Sequence, residues 1–84
     1  MNHTLLHILT TNVAPLNIAN DSAVVLMQDA VYLILNKPPY AALYVIKSDL
    51  QARGLAVHDS NINLIDYNEL VILTSQYAKI ISWN

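Results

Sequence analysis

Ala23-Val24-Val25-Leu26-Met27-Gln28-Asp29-Ala30-Val31-Tyr32-Leu33-Ile34-Leu35 changes character halfway along, and how that change is read decides the fold. Ala23 to Met27 is a short apolar run with β-branched Val24 and Val25, bounded by Asn20-Asp21-Ser22 before it and Gln28-Asp29 after it. Such a run reads as a strand buried on both faces. Asp29 then stands where a helix N-cap is wanted. Its carboxylate can accept from the free N–H groups of the next turn, and Ala30 to Leu35 continues as a short apolar helix until Asn36-Lys37-Pro38-Pro39 stops it.

The same unit recurs outward from this stretch. Before it, His3-Thr4-Leu5-Leu6-His7-Ile8-Leu9 reads as a first strand, followed by turn residues Thr10-Thr11-Asn12 and a short helix around Pro15 to Ala19, with Pro in a first turn where its missing N–H costs nothing. After it, Ala41-Ala42-Leu43-Tyr44-Val45-Ile46 is a third strand. Ser48-Asp49-Leu50-Gln51-Ala52-Arg53-Gly54 carries helix-end signals: capping-box spacing of Ser48 and Gln51, an i, i+4 pair of Asp49 and Arg53, and Gly54 suited to a left-handed C′ position. Ile62-Asn63-Leu64-Ile65 makes a fourth strand. Asp66 caps a final helix from about Tyr67 to Gln76, with Tyr67, Leu70, Val71, Thr74 and Tyr77 on one stripe, and Lys79 to Trp83 closes as an edge strand. Strands alternating with helices predict a single α/β domain over residues 1–84, with a small, mainly parallel sheet of four to five strands and helices on both faces. The apolar runs lack polar alternation, as a sheet covered on both sides requires.

Composition sets limits on function. Of 84 residues, 55% are hydrophobic and 12% charged, about half the usual ~25% of charged residues. A domain this small buries only about 60 to 65% of its unfolded surface. Too few charges remain to coat the outside, which predicts apolar patches that partners cover. No apolar run approaches the ~20 residues of a membrane span, and no basic, apolar and small-residue leader pattern opens the chain, so a cytoplasmic location is expected. Net charge is −2, with Lys37, Lys47, Arg53 and Lys79 scattered, which argues against direct nucleic-acid binding. One Gly cannot build a phosphate-cradling loop. The absence of Cys excludes disulfides, thiolate metal ligands and thiol chemistry by these residues.

Three carboxylates, Asp29, Asp49 and Asp66, follow predicted strands, where open parallel sheets bind ligands; with Lys47 they would make an acidic Mg²⁺ or phosphoryl-binding module. The plainer reading is that each starts a helix, since an N-cap or first-turn acid is worth about 0.5 to 2 kcal/mol unaided. His3 and His7 share a face of the first strand but lie about 13 Å apart at ~3.3 Å per residue, too far to share a metal. His58-Asp59-Ser60 has the residue types of a catalytic relay, but adjacent residues seldom form one and there is no G-x-S-x-G elbow, so a solvated loop is the better reading. Among the aromatic residues, Tyr44 and Tyr67 suit the core, while Tyr32 and Trp83 suit either core or a subunit interface.

Taken in order, His3-Thr4-Leu5, Leu26-Met27-Gln28-Asp29-Ala30-Val31-Tyr32, Leu43-Tyr44-Val45, Asp49-Leu50-Gln51-Ala52-Arg53-Gly54-Leu55, Ser60-Asn61, Leu64-Ile65-Asp66-Tyr67 and the closing Trp83 resemble the TusB/DsrH family of sulfur-relay subunits. The resemblance implies a DsrE/DsrF-like fold and a heterohexamer with TusC/DsrF-like and TusD/DsrE-like subunits. Such a complex passes persulfide sulfur from a donor protein to an acceptor, for 2-thiolation of the tRNA wobble uridine or in dissimilatory sulfur metabolism. The essential cysteine belongs to the TusD/DsrE-like partner, so the chain is expected to be non-catalytic, without metal or cofactor. Ala30 stands where the family commonly has Gly, and Pro15 interrupts the first helical segment. The competing expectations are the acidic Mg²⁺ or phosphoryl module and a stand-alone homo-oligomer without a sulfur role.

Overall fold

The computed structural model describes residues 5–15, 18–19, 21–36, 40–57 and 59–83. Five strands, β1 (Leu5–Leu9), β2 (Ala23–Leu26), β3 (Ala42–Ile46), β4 (Ile62–Ile65) and β5 (Lys79–Trp83), form one sheet in the order β4-β3-β2-β1-β5. All four pairings are parallel. The fold is therefore α/β, and its parallel sheet puts β4 and β5 at the two edges.

Alternation along the strands sorts side chains into two layers. Leu9, Val24, Leu26, Leu43 and Val45 point to one face, where they meet Ala30, Val31, Leu33, Ile34 and Leu50 from the elements after β2 and β3. Leu6, Val25, Ile46 and Ile65 point to the other, where Leu73 closes a smaller cluster with Leu70 and Tyr77 at its margin. Helical elements thus cover both faces. Val24, Val25, Leu26, Val45 and Ile46 are fully buried, as expected of central parallel strands.

The element after β2 is a 3-10 helix, Gln28–Asn36, rather than an α-helix. Three residues per turn stack Ala30 under Leu33 and Val31 under Ile34, all buried, and leave Asp29, Tyr32 and Leu35 as the outward column. Two apolar residues in every three suit this repeat, and the β-branched Val31 and Ile34 are no help to an α-helix. The turn that enters it closes with the Ala30 N–H donating to the Met27 carbonyl at 3.1 Å. Ala30 is compatible with that turn because the positive φ falls on Gln28, at +52°.

Asp29 is not the N-cap expected of it. It lies inside the first turn, and its carboxylate is engaged by Arg53. Ser48 is not a cap either. Strand β3 runs straight into α1 (Lys47–Ala52), so the buried Ile46 occupies the N-cap position with no side-chain bond, and Ser48 sits exposed in the first turn. Helix α2 (Tyr67–Thr74) does have a full capping box: Asp66 Oδ1 accepts from the Glu69 N–H at 2.7 Å and Glu69 Oε1 from the Asp66 N–H at 3.1 Å. It ends two residues short of the expected Gln76. Its inward stripe is Leu70, Leu73 and Tyr77, whereas Tyr67 and Val71 are exposed, because Tyr67 is drawn sideways to Asp49.

No helix is described between β1 and β2. Pro15, Ile18 and Ala19 are non-helical, with Leu16 and Asn17 outside the described residues, and the link is anchored by burying Ile18 in the larger cluster. No helix among the described residues is long and apolar enough to cross a membrane.

Candidate functional site at the carboxyl edge of the sheet

Register brings the ends of three strands level: Leu26 pairs with Val45 and Val45 with Leu64. The residues just beyond those ends therefore share one edge of the molecule, the edge at which parallel sheets present their sites. Asp49, in the first turn of α1, is its hub. One carboxylate oxygen, Oδ2, accepts from the Gln28 N–H and from the Tyr67 hydroxyl, each at 2.7 Å. Gln28 is held in the left-handed region, where its N–H is turned toward that oxygen. Burial, and then the Asp49 carboxylate as hydrogen-bond acceptor, raise the Tyr67 phenol above its ordinary value, so the hydroxyl stays protonated and donating.

Arg53 ties the next layer. Its Nε and Nη2 donate to Asp29 Oδ1 at 3.0 and 2.9 Å, and its Nη1 to the Asp49 carbonyl at 3.1 Å. The ion pair is thus between the 3-10 helix and α1, and not the i, i+4 pair with Asp49 that spacing suggests. Arg53 can reach because α1 stops beneath it. Gly54, at φ +66°, donates to the Gln51 carbonyl and Leu55 to the Leu50 carbonyl, a Schellman end with Leu50 and Leu55 in the same apolar cluster.

The three carboxylates do not converge. Asp29 is bonded to Arg53, Asp49 to Gln28 and Tyr67, and Asp66 to Glu69. Among the described residues no three His, Asp or Glu side chains form a metal-binding group. The convergence of Asp29, Asp49 and Asp66 on which the acidic Mg²⁺ or phosphoryl reading depended is not seen among the described residues. Asp59 and Ser60 lie in an exposed turn in which Asp59 Oδ1 accepts from the Asn61 N–H, while His58 and His3 lie outside the described residues.

Two further features lie outside this hub. On the α2 face, Tyr44, Ile65, Glu69, Ile72, Leu73 and Gln76 line an open groove of about 330 Å³. At the far side of the sheet, Trp83 Nε1 donates to Nδ1 of the buried His7 at 3.1 Å, with the rings stacked at 6.1 Å, and the Trp83 carbonyl accepts from the Thr10 hydroxyl. Burial pulls His7 below its ordinary value, which keeps Nδ1 free to accept. Trp83 therefore packs against the larger cluster while remaining partly exposed, and Tyr32 stands half-exposed beside exposed Leu35. The Asp49 hub and the His7–Trp83 bond join residues far apart in the chain. Their signal in the sequence is indirect: residues just past the ends of neighbouring parallel strands, and residues two positions apart in register on the adjacent strands β1 and β5.

A family model described as DsrH like protein matches residues 11–80. The chain is also similar to Protein TusB of Serratia proteamaculans (strain 568), 44% identical over 52 residues, covering 61% of this chain and 53% of the relative. Protein TusB of Pectobacterium parmentieri is 45% identical over 42 residues, covering 49% of this chain and 44% of the relative. The chain thus spans about half the length of the curated relatives it matches.

Proposed function

The chain belongs to the DsrH-like protein family, and from that premise we propose that it is a non-catalytic subunit of a sulfur-relay complex passing persulfide sulfur toward 2-thiolation of the tRNA wobble uridine. The observation that carries this reading is a match across most of the chain to a sulfur-relay family without one cysteine in the sequence. A persulfide forms on a thiolate, so these residues cannot carry the sulfur themselves. TusC/DsrF-like and TusD/DsrE-like subunits are the proposed partners. The TusD/DsrE-like subunit holds the reactive cysteine, and the donor and acceptor proteins deal with it in the cytoplasm.

The role left to this chain is to supply surface. Val71 and Ile72 on α2 are 69% and 61% exposed, and Leu35 beside Tyr32 is 66% exposed, so two apolar faces stand open on a chain with few charges. Tyr32 is assigned to the second of these faces, beside Leu35. The polar edge around Asp49 fixes the relative angles of the 3-10 helix, α1 and α2 that present them.

Co-expression with the two partner subunits from the same genome, followed by transfer of ³⁵S persulfide from the donor protein, tests the proposal. The expected result is one complex containing this chain, with label on the cysteine-bearing subunit and none on this one. A chain that never co-purifies with those subunits, or that transfers sulfur without them, overturns it.

A further inference from the structure

Strand β5 has a neighbour, β1, on one side only among the described residues. Edge strands of this kind are usually blunted by charges, proline or a bulge. Lys79-Ile80-Ile81-Ser82-Trp83 has no proline, carries one charge at its first position, and leaves Ile80 43% and Ile81 39% exposed on opposite faces of the sheet. Its outer backbone can be assigned. The Trp83 carbonyl accepts from Thr10, just past β1, so it points toward β1. Backbone groups of alternate residues point to opposite sides of a strand, so Lys79, Ile81 and Trp83 serve β1, and Ile80 and Ser82 present their N–H and C=O groups outward.

We propose that this edge pairs antiparallel with β5 of a second copy of the chain about a two-fold axis through Ile81, joining the two sheets. The register selects itself. Ile80 opposite Ser82 of the copy, and Ser82 opposite its Ile80, brings the outward-pointing groups of both strands together as hydrogen-bonded pairs. Ile81 then meets Ile81, and Lys79 meets Trp83, at the closely spaced positions where side chains touch most. Lys79 and Trp83 lie on the same face of the strand, so each ammonium is placed beside an indole of the other copy, and the one charge that would guard the edge gains a cation–π partner. An isologous contact of this kind closes after two copies. The pairing is independent of which complex the chain serves.

The cysteine-free sequence makes the test direct. In the full-length chain, Ile81→Cys would place two Cα atoms about 4.5 Å apart across the axis, within the range a disulfide spans. Diamide, which takes up the two thiol hydrogens, is expected to convert this variant to a covalent dimer. Leu64→Cys, on the opposite edge strand, is expected to stay uncrosslinked. Adding Ser82→Pro removes an outward N–H while leaving the bonds to β1, and should abolish both the Ile81→Cys crosslink and the dimer seen by sedimentation, with circular dichroism unchanged. A native chain that sediments as a monomer at all concentrations, equal crosslinking from Leu64→Cys, or open-ended growth with concentration overturns the proposal. If Ser82→Pro alters the circular dichroism, Lys79→Glu replaces it, and undiminished dimerisation at high and low salt then counts against the register.

Discussion

Asp49 shows how much one side chain can settle in a small domain. Two donors from other elements, the Gln28 N–H and the Tyr67 hydroxyl, meet one oxygen of its carboxylate, and hydrogen bonds to a charged acceptor are the stronger kind. Asp49→Ala is expected to lower stability by about 1 to 2 kcal/mol, read by urea unfolding, with water replacing part of what is lost. Gln28 holds a left-handed conformation that costs a side-chain-bearing residue roughly 1 to 2 kcal/mol, so Gln28→Gly should hold stability or raise it by up to about 1 kcal/mol. His7 makes a prediction in pH. Its folded-state affinity for protons is depressed below the ordinary 6.5, so the unfolded chain binds more protons in the window beneath that value. The contribution of His7 is complete above about pH 6.5 and is lost as pH falls through the window below it. Melting temperatures from pH 7.5 to 5.5 should decline less steeply in His7→Gln, which keeps an acceptor for Trp83 but does not titrate.

At the scale of elements, helix ends decide more than helix interiors, because α1 spans six residues and α2 eight. Neither would form alone in water. Asp66→Ala opens the capping box of α2 and is expected to cost about 1 kcal/mol. Gly54→Ala tests the Schellman end of α1: a Cβ there meets nothing within 4 Å, so its cost comes from the backbone, about 1 kcal/mol. Thermal unfolding by circular dichroism measures both, and their sum in the double variant checks that the two ends act independently. The sequence was read correctly where the signal was local, as at Asp66-Tyr67-Asn68-Glu69 and Gly54, and at the residue bounds of β4 and β5. It misled at Asp29 and Ser48, both good cap residues. Asp29 was claimed by an arginine 24 residues away and Ser48 was left no gap between strand and helix.

At the scale of the whole molecule, the balance of apolar surface matters most. Leu73 is 8% exposed and closes the cluster under α2, so Leu73→Ala should destabilise the chain by about 2 to 5 kcal/mol. Val71 and Ile72, on the exposed face of the same helix, should behave in the opposite way. Val71→Glu with Ile72→Glu is expected to leave the unfolding midpoint within about 0.5 kcal/mol of native, while retention on co-expressed partner subunits falls at least tenfold by pull-down and mass spectrometry. A double variant that unfolds like Leu73→Ala would place those residues in the fold instead.

The sequence by itself determined the five strands, most of their alternation with helices and the parallel sheet, which follow from residue type and spacing within a few positions, and it carried the family as an ordered resemblance along the chain. Tertiary structure alone decided which face of α2 is buried, that the helix after β2 is a 3-10 helix, and that Asp49 and His7 acquire partners from distant segments. Those outcomes depend on the order β4-β3-β2-β1-β5 and its register, which bring remote residues within the few ångströms where a hydrogen bond outweighs a local preference.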